Sequence, residues 1–197
     1  MDLLIIRHGQ SEADILNVME GRADFNLTEV GHKQAELLAK WVNEHYCIGK
    51  IYSSPLKRAK QTSEHISKMV GVEIQFDDDL MEFQNGLIAG LPRKEALEKY
   101  PNVNKHPHTN IYEQESQIEF RSRAETIFSK IINENNDDET IAIISHGGMI
   151  GKLFCSFIQS PMNSKIWIAS GDTGMHHWKV EDNERVIVFC NSQEHLK

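Results

Sequence analysis

The sequence predicts an α/β protein built on a mostly parallel sheet, and three observations carry that prediction. Two runs, "LLII" at 3–6 and "TIAIIS" at 140–145, are apolar at consecutive positions, as strands covered on both faces are. Between them lie segments with helical 3–4 spacing, the alternation expected where parallel strands are joined by crossovers. Capping residues and glycines separate these segments at the expected places.

In chain order, residues 3–7 read as the first strand. After a loop containing Gly and Asp, Thr28 caps a helix reaching about Tyr46, with Val30, Leu38, Trp41 and Val42 on its apolar side. A short strand at 50–53 precedes Pro55, which suits the first turn of a helix carrying Ala59, Thr62, Ile66 and Met69. Gly71 closes that helix, and 72–76 is a strand. The stretch 77–116 is irregular apart from a short helix at 93–100. Its Gly, Pro and polar content predicts a lobe or lid over a site rather than a linker. Ser116-Gln117-Ile118-Glu119 is a capping box, followed by a helical stripe of Phe120, Ala124, Ile127, Phe128 and Ile131. "NENNDDE" (133–139) is a polar turn, 140–145 a central parallel strand, and "GGMIGKLFCSFI" a helix. Strands near 174–180 and 185–190 pair as a hairpin across "EDNE".

Composition bounds the function. The chain has 197 residues, 40% of them hydrophobic, which suits one domain over 1–197 with a sizeable core. Its 29 acidic and 21 basic residues leave a formal charge of -8, against nucleic acid as a partner. Such a chain still binds an anion where a few arginines converge. Cys47, Cys155 and Cys190 have no metal or redox spacing and read as thiols of a reducing compartment. The start, Met-Asp, has no basic n-region and no long apolar stretch follows, so no membrane partner and a cytoplasmic location are expected.

Open α/β sheets bind ligands outside the carboxyl ends of their strands. One such end carries "RHG" (Arg7, His8, Gly9) and another "SHGG", with His146 and two glycines opening a helix. The strand at 50–53 leads to "SSPLKRAKQT", with Lys57 and Arg58 in the next helix's first turn. Each feature alone has an ordinary structural reading; together they bring two histidines and two arginines to one sheet edge. Guanidinium forks, helix N-termini and imidazoles make that edge an anion site suited to phosphate.

These motifs, with "LTEVGHKQA" (27–35), "LMEFQNGLIAG" (80–90) and the tail "NSQEHL" (191–196), resemble the histidine phosphatase superfamily, in its phosphoglycerate-mutase-like branch. The resemblance spans nearly the whole chain. It implies a three-layer αβα sandwich with a small lid over the strands' carboxyl ends. It implies His8 as the nucleophile, Glu82 as proton donor to the leaving oxygen, and Arg7, Arg58 and His146 as binders of the phosphoryl group. Gln10, Ser11 and the Gly147 N–H would line the phosphate, with Gly21 near the substrate. No metal or cofactor is implied, and the partner is a small phosphate ester.

Within the branch, three features favour a phosphatase over a mutase. The chain is short, and the acid's motif reads Glu82-Phe83-Gln84-Asn85-Gly86 without the mutases' arginine. Their pair of lid arginines also has no clear counterpart, Arg93-Lys94 being the nearest basic pair. A phosphoglycerate mutase stays as the alternative, ahead of a phospho-ligand-binding pseudoenzyme or a metal-dependent hydrolase. His106 and His108, in a Pro-broken loop, are expected to face solvent, and His176 and His177 to point to opposite faces of a strand. Arg121 and Arg123 are candidates for the pocket rim. Asp14 stands where the family has Asn: it either pairs with an arginine or the backbone, or faces the phosphate and holds a proton.

Overall fold

In the computed structural model, residues 1–101, 106–162, 164, 166–181 and 184–197 are described. The strands β1 (Asp2–Arg7), β2 (Lys50–Ser53), β3 (Ile74–Phe76), β4 (Thr140–Ser145), β5 (Met175–Glu181) and β6 (Glu184–Ser192) form one sheet, ordered β3-β2-β4-β1-β5-β6. β3, β2, β4 and β1 run parallel, and β5 is antiparallel to both β1 and β6. The helices are α1 (Glu12–Leu16), α2 (Glu29–His45), α3 (Lys57–Val70), α4 (Arg93–Lys99), α5 (Gln117–Glu134) and α6 (Gly147–Phe157).

The two-faced strands divide the core. Leu3, Ile5, Ile141, Ile143 and Trp178 pack with Phe120, Ile127, Phe128, Met149 and Leu153 of α5 and α6. Leu4, Ile6, Ala142, Ile144 and Ile51 pack with Leu38, Val42, Ala59 and Ile66 of α2 and α3. Helices therefore cover both faces, and the chain is a three-layer αβα sandwich.

Local signals set the helix ends. The Thr28 hydroxyl accepts from Gly31 N at 3.0 Å, Gly71 takes φ +74° after α3, and the Ser116–Glu119 capping box is formed. Some expected positions shift. Val30 and Met69 are exposed, and Gly31 and Arg58 are buried on those helices instead. At 3.6 residues per turn, Val30 lies about 120° from the centre of the Ala35–Leu38–Val42 stripe, whereas Met69 falls in the last turn of α3, which ends at Val70. Leu56 is the N-cap of α3, so Pro55 precedes the helix instead of entering its first turn. α5 continues to Glu134 and absorbs the start of the polar turn. The β5–β6 hairpin forms, its turn residues 182 and 183 lying outside the described residues. Among the described residues no helix is long and apolar enough to cross a membrane.

α2 docks on the loop that follows β1. A Cβ on Gly31 would lie 2.1 Å from Gln10 O, and one on Gly9 would lie 2.7 Å from Gly31 O. Both obstacles are backbone, so neither can swing away. Gly31→Ala is expected to cost about 2–3 kcal/mol by overpacking, read as a fall in the urea midpoint. Val30→Ala, one residue away on the open face, should change it by less than about 0.5 kcal/mol.

Candidate active site

Three strand ends meet at one place. Arg7 pairs in register with Ser145, and Ser53 with Ile144, so Arg7-His8, Ser145-His146 and Ser53-Ser54 leave the sheet side by side. His8 N donates to Ser145 O at 3.1 Å, and Thr173 N donates to His8 O at 3.1 Å. His8, His146 and Arg58 are essentially without solvent exposure.

Hydrogen bonding assigns both imidazole tautomers. His8 Nδ1 lies 2.8 Å from Gly9 O, which only accepts, so Nδ1 carries the hydrogen and Nε2 keeps its lone pair. His146 Nε2 lies 2.8 Å from Ser54 Oγ, which already accepts from Leu56 N at 3.3 Å. The Ser54 hydroxyl hydrogen has no other acceptor among the described residues, so it donates to Nε2 and leaves an N–H at His146 Nδ1, a buried atom with no partner among the described residues. Burial first, and the Arg58 charge second, hold both histidines well below their ordinary pKa. Each is neutral at physiological pH.

Two arginines surround them. Arg7 donates from Nη1 to Ser170 O at 2.8 Å, with Asp172 Oδ1 3.4 Å away, while its buried Nε has no partner among the described residues. Arg58 donates from Nη1 to Ala23 O at 3.0 Å and from Nη2 to Gly21 O at 2.8 Å. Its Nε lies 3.3 Å from His8 Nε2 and 3.0 Å from Glu20 Oε1. Gly21, at φ +48°, turns this loop inward. Asp14 takes the paired arrangement: its Oδ2 accepts from Ser11 N at 2.8 Å, and Oδ1 lies 3.9 Å from Arg7 Nη2.

Glu82 completes the group. Its carboxylate accepts from Phe83 N at 2.7 Å and from Gly148 N, at the start of α6, at 2.8 Å. A Cβ on Gly148 would come within 2.2 Å of Glu82 Oε1, which explains the second glycine of "SHGG". A cavity of about 320 Å³ is lined by Arg7, His8, Glu20, Glu82, Gly147 and Trp167. Beside it a cavity of about 440 Å³ shares Glu20, Glu82, Gly148 and Trp167 and adds Arg93, Phe120 and Lys152. The irregular stretch 77–116 supplies Glu82, Phe83, Asn85 and Arg93 to these walls.

Not every candidate residue reaches the cavities. The Gln10 side chain accepts from Thr28 Oγ1 at 2.8 Å and stays with the start of α2. Ser11 is buried behind Asp14 and Glu20. Arg121 donates to Glu125 and Ser156, away from the rim. Arg123 donates to Asp79 O and Met81 O at 2.8 Å and to Glu82 O at 3.2 Å, and pairs with Glu115. It holds the segment that presents Glu82. His106 and His108 are exposed, and no cluster of metal-ligating side chains occurs among the described residues. Sequence reasoning missed Glu20, Lys152, Trp167 and Ser170. Glu20 precedes Gly21 directly, and the interest of that glycine is the one local signal that pointed there.

Behind the site, His176 accepts from Asn191 N and pairs with Ser170, and His195 pairs with Thr173, whose N–H holds His8. Burial lowers His176 and His195 from 6.5 to about 4. A base whose folded pKa is depressed contributes stability that is complete above the unfolded pKa and is lost as pH falls through 6.5 toward about 4. His8 and His146 add to the loss in the same direction. Each histidine steepens the decline by up to about 1.4 kcal/mol per pH unit. Urea unfolding at about pH 7 and pH 5 should show it, and His195→Asn should flatten the slope by one histidine's share.

A model of the histidine phosphatase superfamily (branch 1) matches residues 3–193. Phosphoserine phosphatase 1 of Hydrogenobacter thermophilus is 26% identical over 203 residues, covering 98% of this chain and 93% of that protein. A metal-independent phosphoserine phosphatase of Arabidopsis thaliana is 26% identical over 180 residues, covering 86% of this chain and 74% of that protein. Among solved structures, mycobacterial glucosyl-3-phosphoglycerate phosphatase in complex with VO3 shares the fold, with a TM-score of 0.86 at 21% identity over 97% of this chain and 98% of that one. The match over nearly the whole chain and the phosphatases among its relatives lead to one conclusion: the chain is a phosphatase belonging to the histidine phosphatase superfamily, branch 1.

Proposed function

We propose that this phosphatase hydrolyses phosphomonoesters by transferring the phosphoryl group to His8 Nε2 and then to water. One observation carries the reading. Beside an imidazole whose Nε2 lone pair is free of a proton, two buried donors, Arg7 Nε and His146 Nδ1, have no hydrogen-bond partner among the described residues. Unpaired buried donors are costly, and a phosphoryl group is the ligand that would satisfy both.

In the first step His8 Nε2 bonds to phosphorus while the bond from phosphorus to the ester oxygen breaks. The departing alkoxide takes a proton from Glu82, which stands where both cavities meet. In the second step Glu82, now a carboxylate, takes a proton from water as the water oxygen bonds to phosphorus and the N–P bond breaks. Arg7, Arg58, the His146 N–H and the N-terminus of α6 at Gly147 stabilise the equatorial oxygens. Those donors supply the positive charge, so no metal is assigned a role. Gln10 and Ser11 act by holding the loop after β1 and Gly21 by holding Arg58, in place of direct phosphate contacts.

The alcohol portion occupies the larger cavity. Lys152 there lies over the Phe120 ring and pairs with no carboxylate within 4 Å among the described residues. A small alcohol bearing its own carboxylate fits that wall, and the phosphoserine phosphatases among the relatives are named for such a substrate.

His8→Ala is expected to abolish turnover while the far-UV spectrum stays unchanged. Acid-labile, base-stable label from a radiolabelled phosphate ester should appear in wild type, persist in chelator, and vanish in the variant. Label surviving in His8→Ala would place the nucleophile elsewhere.

Glu82→Gln should slow an alkyl ester such as phosphoserine by about 10²–10⁴-fold. It should slow p-nitrophenyl phosphate far less, since an aryl oxide departs with little help. Equal losses on both esters would remove Glu82 from the role of acid.

A further inference from the structure

The acidic residue that faces the phosphoryl site is Glu20, and the mechanism leaves it without a task. Glu20 lines the catalytic cavity, the larger cavity beside it and a third of about 290 Å³ bordered by Arg7, Asp14 and Arg93. Its Oε1 lies 3.0 Å from Arg58 Nε and accepts from Ser11 Oγ at 2.7 Å, and its Oε2 lies 3.9 Å from the nucleophilic His8 Nε2. Arg58 Nη1 and Nη2 are committed to the carbonyls of Ala23 and Gly21. Nε, with its single hydrogen, lies 3.3 Å from the nucleophilic His8 Nε2, and Glu20 already holds it.

We propose that Glu20 occupies a phosphoryl-oxygen position in the free enzyme, and that binding a phosphate dianion requires Glu20 to take up a proton and release Arg58 Nε. This rests on the reading of the site as a phosphate site. A carboxylate left ionised there would face the incoming dianion at a few ångströms in a partly buried pocket, where like charges repel more than in open water. The Ser11 contact leaves room for that proton. The Ser11 hydroxyl has one hydrogen for two carboxylate oxygens, Asp14 Oδ2 at 3.0 Å and Glu20 Oε1 at 2.7 Å. With a proton on Glu20, Glu20 donates to Ser11 Oγ, Ser11 donates to Asp14, and each contact has its hydrogen. The charged groups facing Glu20 are Arg58 from α3, Arg7 and His8 from the end of β1, Asp14 from α1, Glu82 across the cavity and Arg93 from α4. Burial raises the Glu20 carboxyl above its ordinary value and Asp14 adds to this, while Arg58, Ser11 and Arg7 oppose it.

The test uses sulfate, a dianion throughout the range, as the probe of the full-length enzyme. Calorimetry should show that Glu20→Gln binds sulfate roughly tenfold more tightly than wild type at about pH 7. The gap should narrow as pH is lowered and wild-type Glu20 gains its proton. In buffers of different ionisation enthalpy, wild type should take up close to one more proton per sulfate than Glu20→Gln, and Glu20→Ala should behave as Glu20→Gln does. Equal affinity at neutral pH, equal proton uptake, or weaker binding by both variants would overturn the proposal. A loss of rate on phosphoserine but not on p-nitrophenyl phosphate in Glu20→Gln would make Glu20 a proton donor and overturn it too. If neither wild type nor variant binds sulfate or inorganic phosphate, the phosphate-site reading itself fails and takes the proposal with it.

Discussion

Arg58 is a guanidinium with no exposure to solvent, and the arrangement of the site follows from that constraint. Moving such a charge out of water costs several kcal/mol unless its donors are met and a countercharge is near. Two loop carbonyls, Gly21 O and Ala23 O, meet Nη2 and Nη1, which fixes the path of the chain between α1 and α2. Nε is met by His8 and Glu20. One buried cation thus ties α3, the loop before α2 and the end of β1 into a single unit. Burial first, and its field second, keep both imidazoles unprotonated, as phosphorus attack by one and a single directed N–H from the other both require.

The sheet beneath was legible because its signals are local. Four adjacent apolar residues in each of β1 and β4 leave no polar face, so both strands had to be internal and covered on both sides. Thr28, Gly71 and the Ser116–Glu119 box mark helix ends through hydrogen bonds made within a few residues. His8, His146, Arg7 and Arg58 were legible for a related reason: the histidines follow strand ends directly, Arg7 closes β1 and Arg58 opens the helix after β2, and the sheet order brings those ends together. A phase error of a fraction of a turn accounts for Val30, since a spacing rule does not say where the stripe is centred, while Met69 keeps the phase but sits in the last turn of α3.

What escaped the sequence depends on contacts between distant segments with no shared period. Arg123 sits on a helix whose register marks it as half-exposed, and only the path of 77–82 converts it into the clamp on Glu82. Arg121, two residues earlier, points about 200° away around the same helix and serves Ser156 instead. Glu20 reads as one more acidic loop residue in a chain with 29 of them. Its meaning comes from Arg58, 38 positions later, whose Nε it holds beside the nucleophile while loop carbonyls fix Nη1 and Nη2.

The net charge of -8 therefore says little about the site. Exposed acidic residues, such as those paired with Lys40, Lys60 and Lys99, are screened within about 10 Å at ordinary ionic strength. Arg7, partly exposed, and Arg58, fully buried, act over a few ångströms, where an equal charge has several times the effect it has across open solvent. Their strength brings its own difficulty, because two arginines held permanently unpaired would be costly to bury. Asp14 and Asp172 beside Arg7, and Glu20 on Arg58, balance them in the free protein. A phosphate can displace such a balance only where a carboxylate is able to give way. Asp14 is fastened to the Ser11 N–H and Asp172 sits against a guanidinium nitrogen already given to Ser170, whereas Glu20 alone among the three holds a nitrogen that also reaches the nucleophile.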